Sequence, residues 1–381
     1  MGRCLISAVR RSAEHGTDGE VTVPRRSTTT RLQGLTALLA AFWVAVASAQ
    51  QRLSDPVRYR GTCDASAAVA LGPGLFVVGN DEDNVLRVYL ADQPGAPLQE
   101  SRVLYRYLGI TPGGWREEAD IEGAAWLGDR IYWIGSHGRN EKGKWRPHRL
   151  NFFATRVRVT WEGIVFEPVG HPYTKLLDDM LHDPGIAALG LADAVRPDVA
   201  DDRQLAPKRS GVNIEGLAAT ADGTGVLIGF RNPRPDNKAL IVRLNNPGAV
   251  LDGGARAKFD RPILLDLGGL GIRSIDFAAR RRVYVIVAGP HGPGGPFRLY
   301  TWTGGRDTPP TLIMPIEGLQ PEAAIVYPDR ERLQILSDDG SLPIADAAGC
   351  GHPLRDGRCQ CKDLPPDAWQ FRSVWVDLSS D

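Results

Sequence analysis

Two polar positions recur along this chain at a spacing that could gather chemistry. Five segments, 63–81, 119–137, 212–232, 273–291 and 320–339, each read as strand, tight turn, strand. At the start of the first strand one column holds Asp64, Asp120, Asn213, Ser274 and Gln320. Two residues later a second column holds Ser66, Glu122, Glu215, Asp276 and Glu322. A strand alternates its faces, so both columns point to one side. The second strand ends in a further polar set: Asn80-Asp81, Ser136-His137, Arg231-Asn232, Pro290-His291 and Asp338-Asp339. In a hairpin that end lies beside the start of the first strand, so both sets fall at one end of each unit.

Carboxylates brought together must protonate, pair with arginine or hold a cation. An oxygen-rich set suits Ca²⁺ or another hard cation, with Glu122, Glu215, Asp276 and Glu322 as candidate metal ligands. Asp64, Asn80, Asp81, Asp120, Asn213, Asn232 and Asp338 are candidates for lining the ligand space. His137, in the Gly-rich turn 135–140, is a candidate general base or metal ligand, and Arg231 could grip a carboxylate or phosphate. The same acids could instead pair with Arg139, Arg231 and Arg273 as a device of the fold.

The elements that must position these residues form a repeat. After each hairpin comes a third strand: 85–90, 148–153, 240–245, 297–302 and 371–378. A fourth apolar run follows at 103–108, 262–267 and 311–316, with 156–169 in that place in the second unit. Four strands repeated with variable loops is the pattern of a β-propeller blade. One blade has two apolar faces, and packing blades around an axis covers both. The expectation is an all-β propeller of five blades, with six as the rival count. The strand at 56–61 should complete the last blade, and 170–211, with helix-like apolar spacing, should be a helical insertion between blades two and three.

Composition sets the setting. The chain has 381 residues, 43 Gly and 28 Pro, a balance that favours short strands and turns. Residues 31–49 carry a basic start, an apolar run and a small-residue end, the pattern of a secretory signal covering 1–49. A retained anchor is the alternative. Acids before the basic patch suggest that translation starts further in, near Val21 or Val23. Six arginines and three acids leave with the segment, so the mature chain 50–381 holds 39 basic and 42 acidic side chains. No basic excess is left to drive nucleic-acid binding. Cys63, Cys350, Cys359 and Cys361 remain after export, and the compartment favours disulfides over metal, with three possible pairings. A small stapled loop is expected within 345–365, with Cys63 tying the start of the chain to its end. Trp115 and Trp145, in loops, could line a ligand surface. The sequence contains no HExxH, GxSxG or phosphate-binding loop.

Two motif pairs carry a resemblance: Asp120-Ile121-Glu122-Gly123 before Gly135-Ser136-His137-Gly138, and Asn213-Ile214-Glu215-Gly216-Leu217 before Gly229-Phe230-Arg231-Asn232-Pro233. With 265–275 they make the chain resemble the domain of unknown function 3616 family over roughly residues 60–340. The resemblance implies a propeller-like secreted domain and no particular reaction. More distantly, the strand starts resemble those of phytase-like and esterase-like propellers, which implies calcium-assisted phosphoester or ester hydrolysis as a candidate activity. Ser66 departs from the acidic pattern, so any metal site should be asymmetric. The expected protein is an exported, periplasmic or extracellular monomer that binds a small molecule or cation at an acidic mouth. The alternative is a non-catalytic scaffold for a protein or glycan, its acids structural.

Overall fold

The computed structural model describes residues 53–101, 104–111, 118–161, 163–292, 294–344 and 349–378. The stretch read as a secretory signal and Trp115 lie outside them. Five four-stranded antiparallel sheets account for most of the strands. Blade 1 runs Ala67–Gly72, Leu75–Gly79, Arg87–Leu90 and Gln99–Glu100, and blade 2 runs Ile121–Leu127, Arg130–Gly135, Phe152–Thr160 and Gly163–Tyr173. Blade 3 comprises Asn213–Ala219, Val226–Asn232, Ala239–Leu244 and Ile263–Leu265; blade 4 comprises Gly271–Ala278, Val283–Gly289, Phe297–Trp302 and Thr311–Ile316. Blade 5 takes Pro321–Val326, Arg332–Ser337 and Gln370–Asp377 from the end of the chain and Val57–Arg60 from its start.

The first strands of the five blades touch one another in a closed cycle, so they line the axis. The fold is a five-bladed β-propeller. The core lies between blades, as the burial argument requires. Val69, Val77 and Val88 of blade 1 share one buried cluster with Ile121, Ile131 and Trp133 of blade 2. Val285, Val287 and Leu299 of blade 4 meet Leu333, Ile335 and Val374 of blade 5 in the same way.

The ring closes where expected. Val57–Arg60 pairs antiparallel with the last strand, Val57 opposite Ser373 and Arg60 opposite Gln370. Tyr59 stacks on Phe371 and meets Phe76 and Tyr89 edge-on, locking blade 5 against blade 1. Cys63–Cys361 bridges 298 residues across this seam, and Cys350–Cys359 staples the small loop. Two disulfides fit an oxidising compartment. Among the described residues no helix is long and apolar enough to cross a membrane.

Two elements depart from expectation. The fourth strand of blade 1 is Gln99–Glu100, while 104–109 forms turns whose Leu104 and Leu108 pack under blade 2. In blade 2 the third strand starts at Phe152, because Pro147–Leu150 is a short 3₁₀ turn with Pro at its start. The helical insertion stands between blades 2 and 3 as expected, and it is minor. Helices Leu176–His182, Pro184–Ile186 and Ala192–Val195, with a kinked Ala187–Leu191 turn, bury Leu176, Met180, Ile186 and Leu191 against blades 2 and 3.

Candidate functional site

The axial acids are placed by β-bulges. In blade 2 the pairing passes from Ile121–Gly135 to Gly123–Ile134, which leaves Glu122 as the extra residue. Blade 3 skips Glu215 between Ile214 and Gly216, and blade 5 skips Glu322 between Pro321 and Ala323. A bulge re-aims the side chain it carries. In blade 4 the skipped residue is Arg273, between Ile272 and Ser274. The second column is therefore Ser66, Glu122, Glu215, Arg273 and Glu322. The expectation for Asp276 is corrected: it sits three residues further on, opposite Val285, at the other end of the channel. A small residue follows each bulge (Gly123, Gly216, Ser274, Ala323), and aligning on it would have exposed Arg273.

Arg273 reorganises the mouth. Its guanidinium contacts Glu215 at 2.9 Å and also pairs with Glu322. Arg231 reaches the same Glu215 at 2.8 Å while its Nε donates to the Pro290 carbonyl. Asn213 adds a third donor to Glu215 at 2.7 Å. Burial, then the nearby Arg231 charge, pulls the Arg273 pKa down to about 10. Glu215, Glu322 and Arg231 thus form a closed ion-pair set with Arg273, and the four-carboxylate metal set is not assembled.

Glu122 stands differently. It is only 8 % exposed, it lines the axial space with Ser66 and Glu215, and among the described residues no hydrogen bond or ion pair reaches it. The cavity there is about 10 Å³, room for about one water. Glu122, Asp81 and Asp120 each present a carboxylate oxygen within 4.8 Å of the others. Asp120 is also bound by Arg149 at 2.8 Å, and Arg149 reaches Glu118 at 2.6 Å. Asp81 has a buried oxygen with no hydrogen-bond partner among the described residues. Burial, then the neighbouring Glu215, Asp120 and Asp81 charges, holds the Glu122 carboxyl well above the ordinary carboxylate range. Burial and then Asp338 and Glu82 do the same to Asp81. Asp64 is likewise raised by burial and by Asp81 and Asp338, and its Oδ1 lies 1.5 Å from where a Cβ on Gly340 would stand, so a side chain there would displace the carboxyl.

The other candidates are committed to the backbone or buried. Asn80 donates to Thr62 and accepts from the Asp83 N–H, and Asn232 donates to the Gly211 carbonyl. Asp338 accepts from the Gly340 N–H at 2.9 Å. His137 is fully buried. Its Nδ1 lies 2.8 Å from the Gly135 carbonyl, which can only accept, so Nδ1 carries the proton. Burial lowers its pKa to about 4, and its Nε2 has no partner among the described residues. It is a neutral inner histidine rather than a group on the open mouth. Trp145 packs under Arg139, whose guanidinium ties the carbonyls of Arg196, Val199 and Ala200 in the insertion. Arg149 and Glu118 were not singled out by sequence; Arg149 carried only the weak signal of an arginine entering a third strand.

No curated protein matches the sequence. Among solved structures, the chain is similar to the β-propeller domain of Myceliophteria thermophila Cps50 (Swd1), at 12% identity over 85% of this chain and 99% of that one, TM-score 0.36. It is also similar to a Myxococcus xanthus glutaminyl cyclase, at 10% identity over 86% and 96%, TM-score 0.38. A Thermus thermophilus chain described as a glucose dehydrogenase matches at 13% identity over 85% and 99%, TM-score 0.42. Residues 186–332, which span blades 3 and 4 and the start of blade 5, match the family model "Protein of unknown function (DUF3616)", so the resemblance carried by the Asn213–Gly216 and Gly229–Pro233 motifs holds over that stretch.

Proposed function

We propose that this exported propeller binds a divalent cation of the Ca²⁺ type at Asp81, Asp120 and Glu122, and through it a small oxyanion-bearing ligand at the acidic mouth. The observation that carries the reading is Glu122: a carboxyl nine-tenths buried, with no hydrogen bond or ion-pair contact among the described residues and only the more distant Arg273 charge to offset it, turned by its bulge toward two further acids. A buried carboxylate with no cation in direct contact is costly, and a hard cation is one of the few groups that would relieve it. Arg273 already neutralises Glu215 and Glu322, so the site is one-sided, on blades 1 and 2. The asymmetry follows from the missing acid at Ser66 and the arginine in blade 4. With His137 buried and Arg231 occupied, the residues at hand bind and orient, and the proposal stops at binding.

Calorimetric titration of the purified mature chain with CaCl₂ tests it. The expected result is one ion per chain with a Kd of roughly 0.1–1 mM, the range of extracellular calcium modules. Glu122→Gln should weaken it at least tenfold. Absence of heat and of any melting-temperature shift with Ca²⁺ or Mg²⁺ would overturn the reading and leave the three acids as a structural cluster.

A further inference from the structure

The opposite end of the axis carries a second and larger space. A cavity of about 480 Å³ opens where the five first strands end, and every blade contributes to it. That volume is within the range of small-molecule sites, and mouths of closed β-structures are common places for them. Its walls are apolar: Val69 and Leu71 from blade 1, Trp126 from blade 2, Phe277 and Ala278 from blade 4, Val326 from blade 5.

The polar groups around this space are committed within the protein. Trp126 donates its indole N–H to the Ala70 carbonyl at 2.7 Å, so it has no donor left for a ligand and offers only its ring. Tyr327 donates its hydroxyl to Gln334 at 2.7 Å. Arg330 is gripped by both oxygens of Asp92 at 2.7 Å and lies against the Tyr327 and Trp375 rings. Glu331 holds both Arg280 and Arg281, each at 3.1 Å. Both carboxyl oxygens of Asp276 accept backbone N–H groups, from Phe277 and Val326. Burial also pushes Asp276 up to about 7, so it carries little charge below neutrality.

Those commitments decide what the space can take. A charged ligand would give up its water here and have to compete for counter-ions that are already engaged. An uncharged apolar body gives up little on leaving water and covers the aliphatic wall together with two aromatic rings. The rings come from blades 2 and 4, and Phe277 is backed by Tyr284 at 4.9 Å between ring centroids, so the wall is preformed.

We infer that this cavity is a binding site for a small uncharged aromatic molecule, held between the Trp126 and Phe277 rings and the aliphatic wall. The site is distinct from the acidic mouth and does not depend on the cation proposed there.

The test is calorimetry of the mature chain at neutral pH with 1-naphthylmethanol, 1-naphthylacetate and 1-naphthylmethylammonium, which share the ring system and differ in charge. The expected result is 1:1 binding of the alcohol, with each ion at least about tenfold weaker. Leu71→Trp and Ala219→Trp, which fill the cavity from blades 1 and 3, should each weaken the alcohol by a similar factor, and melting curves show which variant keeps its fold. Nuclear Overhauser contacts between the alcohol and the Trp126 ring read the same site in the unaltered protein. Saturating CaCl₂ should leave the affinity unchanged, whereas a Ca²⁺-dependent affinity would place the probe at the acidic mouth and overturn the inference. So would an ion that binds as tightly as the alcohol, undiminished binding in a folded filled variant, absence of the Trp126 contacts, or no binding of any of the three probes.

Discussion

The two ends of the propeller axis are built from the same five strands and come out as chemical opposites. At the ends where the strands begin, acids crowd around a space of about 10 Å³, and hydrogen bonds and ion pairs fill most of it. At the ends where they finish, an apolar cavity of about 480 Å³ is edged by arginines. The difference lies in the backbone. Bulges at Glu122, Glu215, Arg273 and Glu322 push one long polar side chain each into the narrow end. Beyond the bulges the inner positions are small or apolar, such as Ala70, Ala219 and Ala278. One end is therefore held by electrostatics that must balance, and the other by packing that leaves room.

The sharpest way to break the narrow end is Arg273→Met. The substitution strands Glu215 and Glu322 in a buried site without their shared cation. Removing one partner of a buried ion pair typically costs about 3–5 kcal/mol. The expected outcome is a denaturation midpoint lowered by that amount, measured in urea at neutral pH. Arg231 still touches Glu215, so the double variant Arg273→Met/Glu322→Gln should recover part of the loss. If the single variant unfolds like the parent, the ion-pair set does not hold this mouth.

Next in size is the seam. Cys63–Cys361 closes a very long loop beside Asp64, and its loss as Cys63→Ser/Cys361→Ser should cost about 2–5 kcal/mol. The Cys350→Ser/Cys359→Ser pair closes only a short loop and should cost less. A larger effect from the short loop would mean that the ring does not rely on its seam. The proposed cation adds a smaller, concentration-dependent effect. At a hundredfold excess over its Kd, Ca²⁺ should stabilise the parent by about 2.7 kcal/mol and Glu122→Gln by much less.

Much of this comparison could be read in the residues, and the part that could not has a physical reason. Hairpin alternation and turn chemistry located all five first and second strands, and Val57–Arg60 was recognisable as a strand without a blade of its own. Cysteine placement beside that strand pointed to the seam. Bulges defeat a count by twos, because an extra residue shifts everything after it. Asp276 was grouped with the acids for that reason, and Arg273, which governs Glu215 and Glu322, was seen only as one possible partner. Burial of His137 beneath the mouth is a product of tertiary packing that no local pattern carries. The large cavity left no motif at all, since small and apolar residues at strand ends look the same whether or not a space lies beyond them.

The remaining effect is the most selective, because it separates the ends by pH. Asp276 lies at the open end, buried, with a pKa pushed up to about 7 against an unfolded value near 3.8. Between those values the folded chain holds a proton there that the unfolded chain has released. Stability contributed by this proton is therefore complete below about pH 4 and lost progressively as pH rises toward 7. Asp276→Asn removes the titration at a separate cost. Both carboxyl oxygens accept backbone N–H groups, and an amide nitrogen cannot accept, so either Phe277 or Val326 loses its acceptor. Losing one buried hydrogen bond costs about 1 kcal/mol. The variant should thus be less stable than the parent by about that amount near pH 4, and the gap should close or reverse by pH 7–8. Melting temperatures of both proteins at half-unit pH steps measure the gap directly, and because the acids of the narrow end are common to both, their titration cancels from the difference. A gap that stays constant across the range would mean that Asp276 is ionised throughout, and the open end would then carry a fixed negative charge facing its arginines.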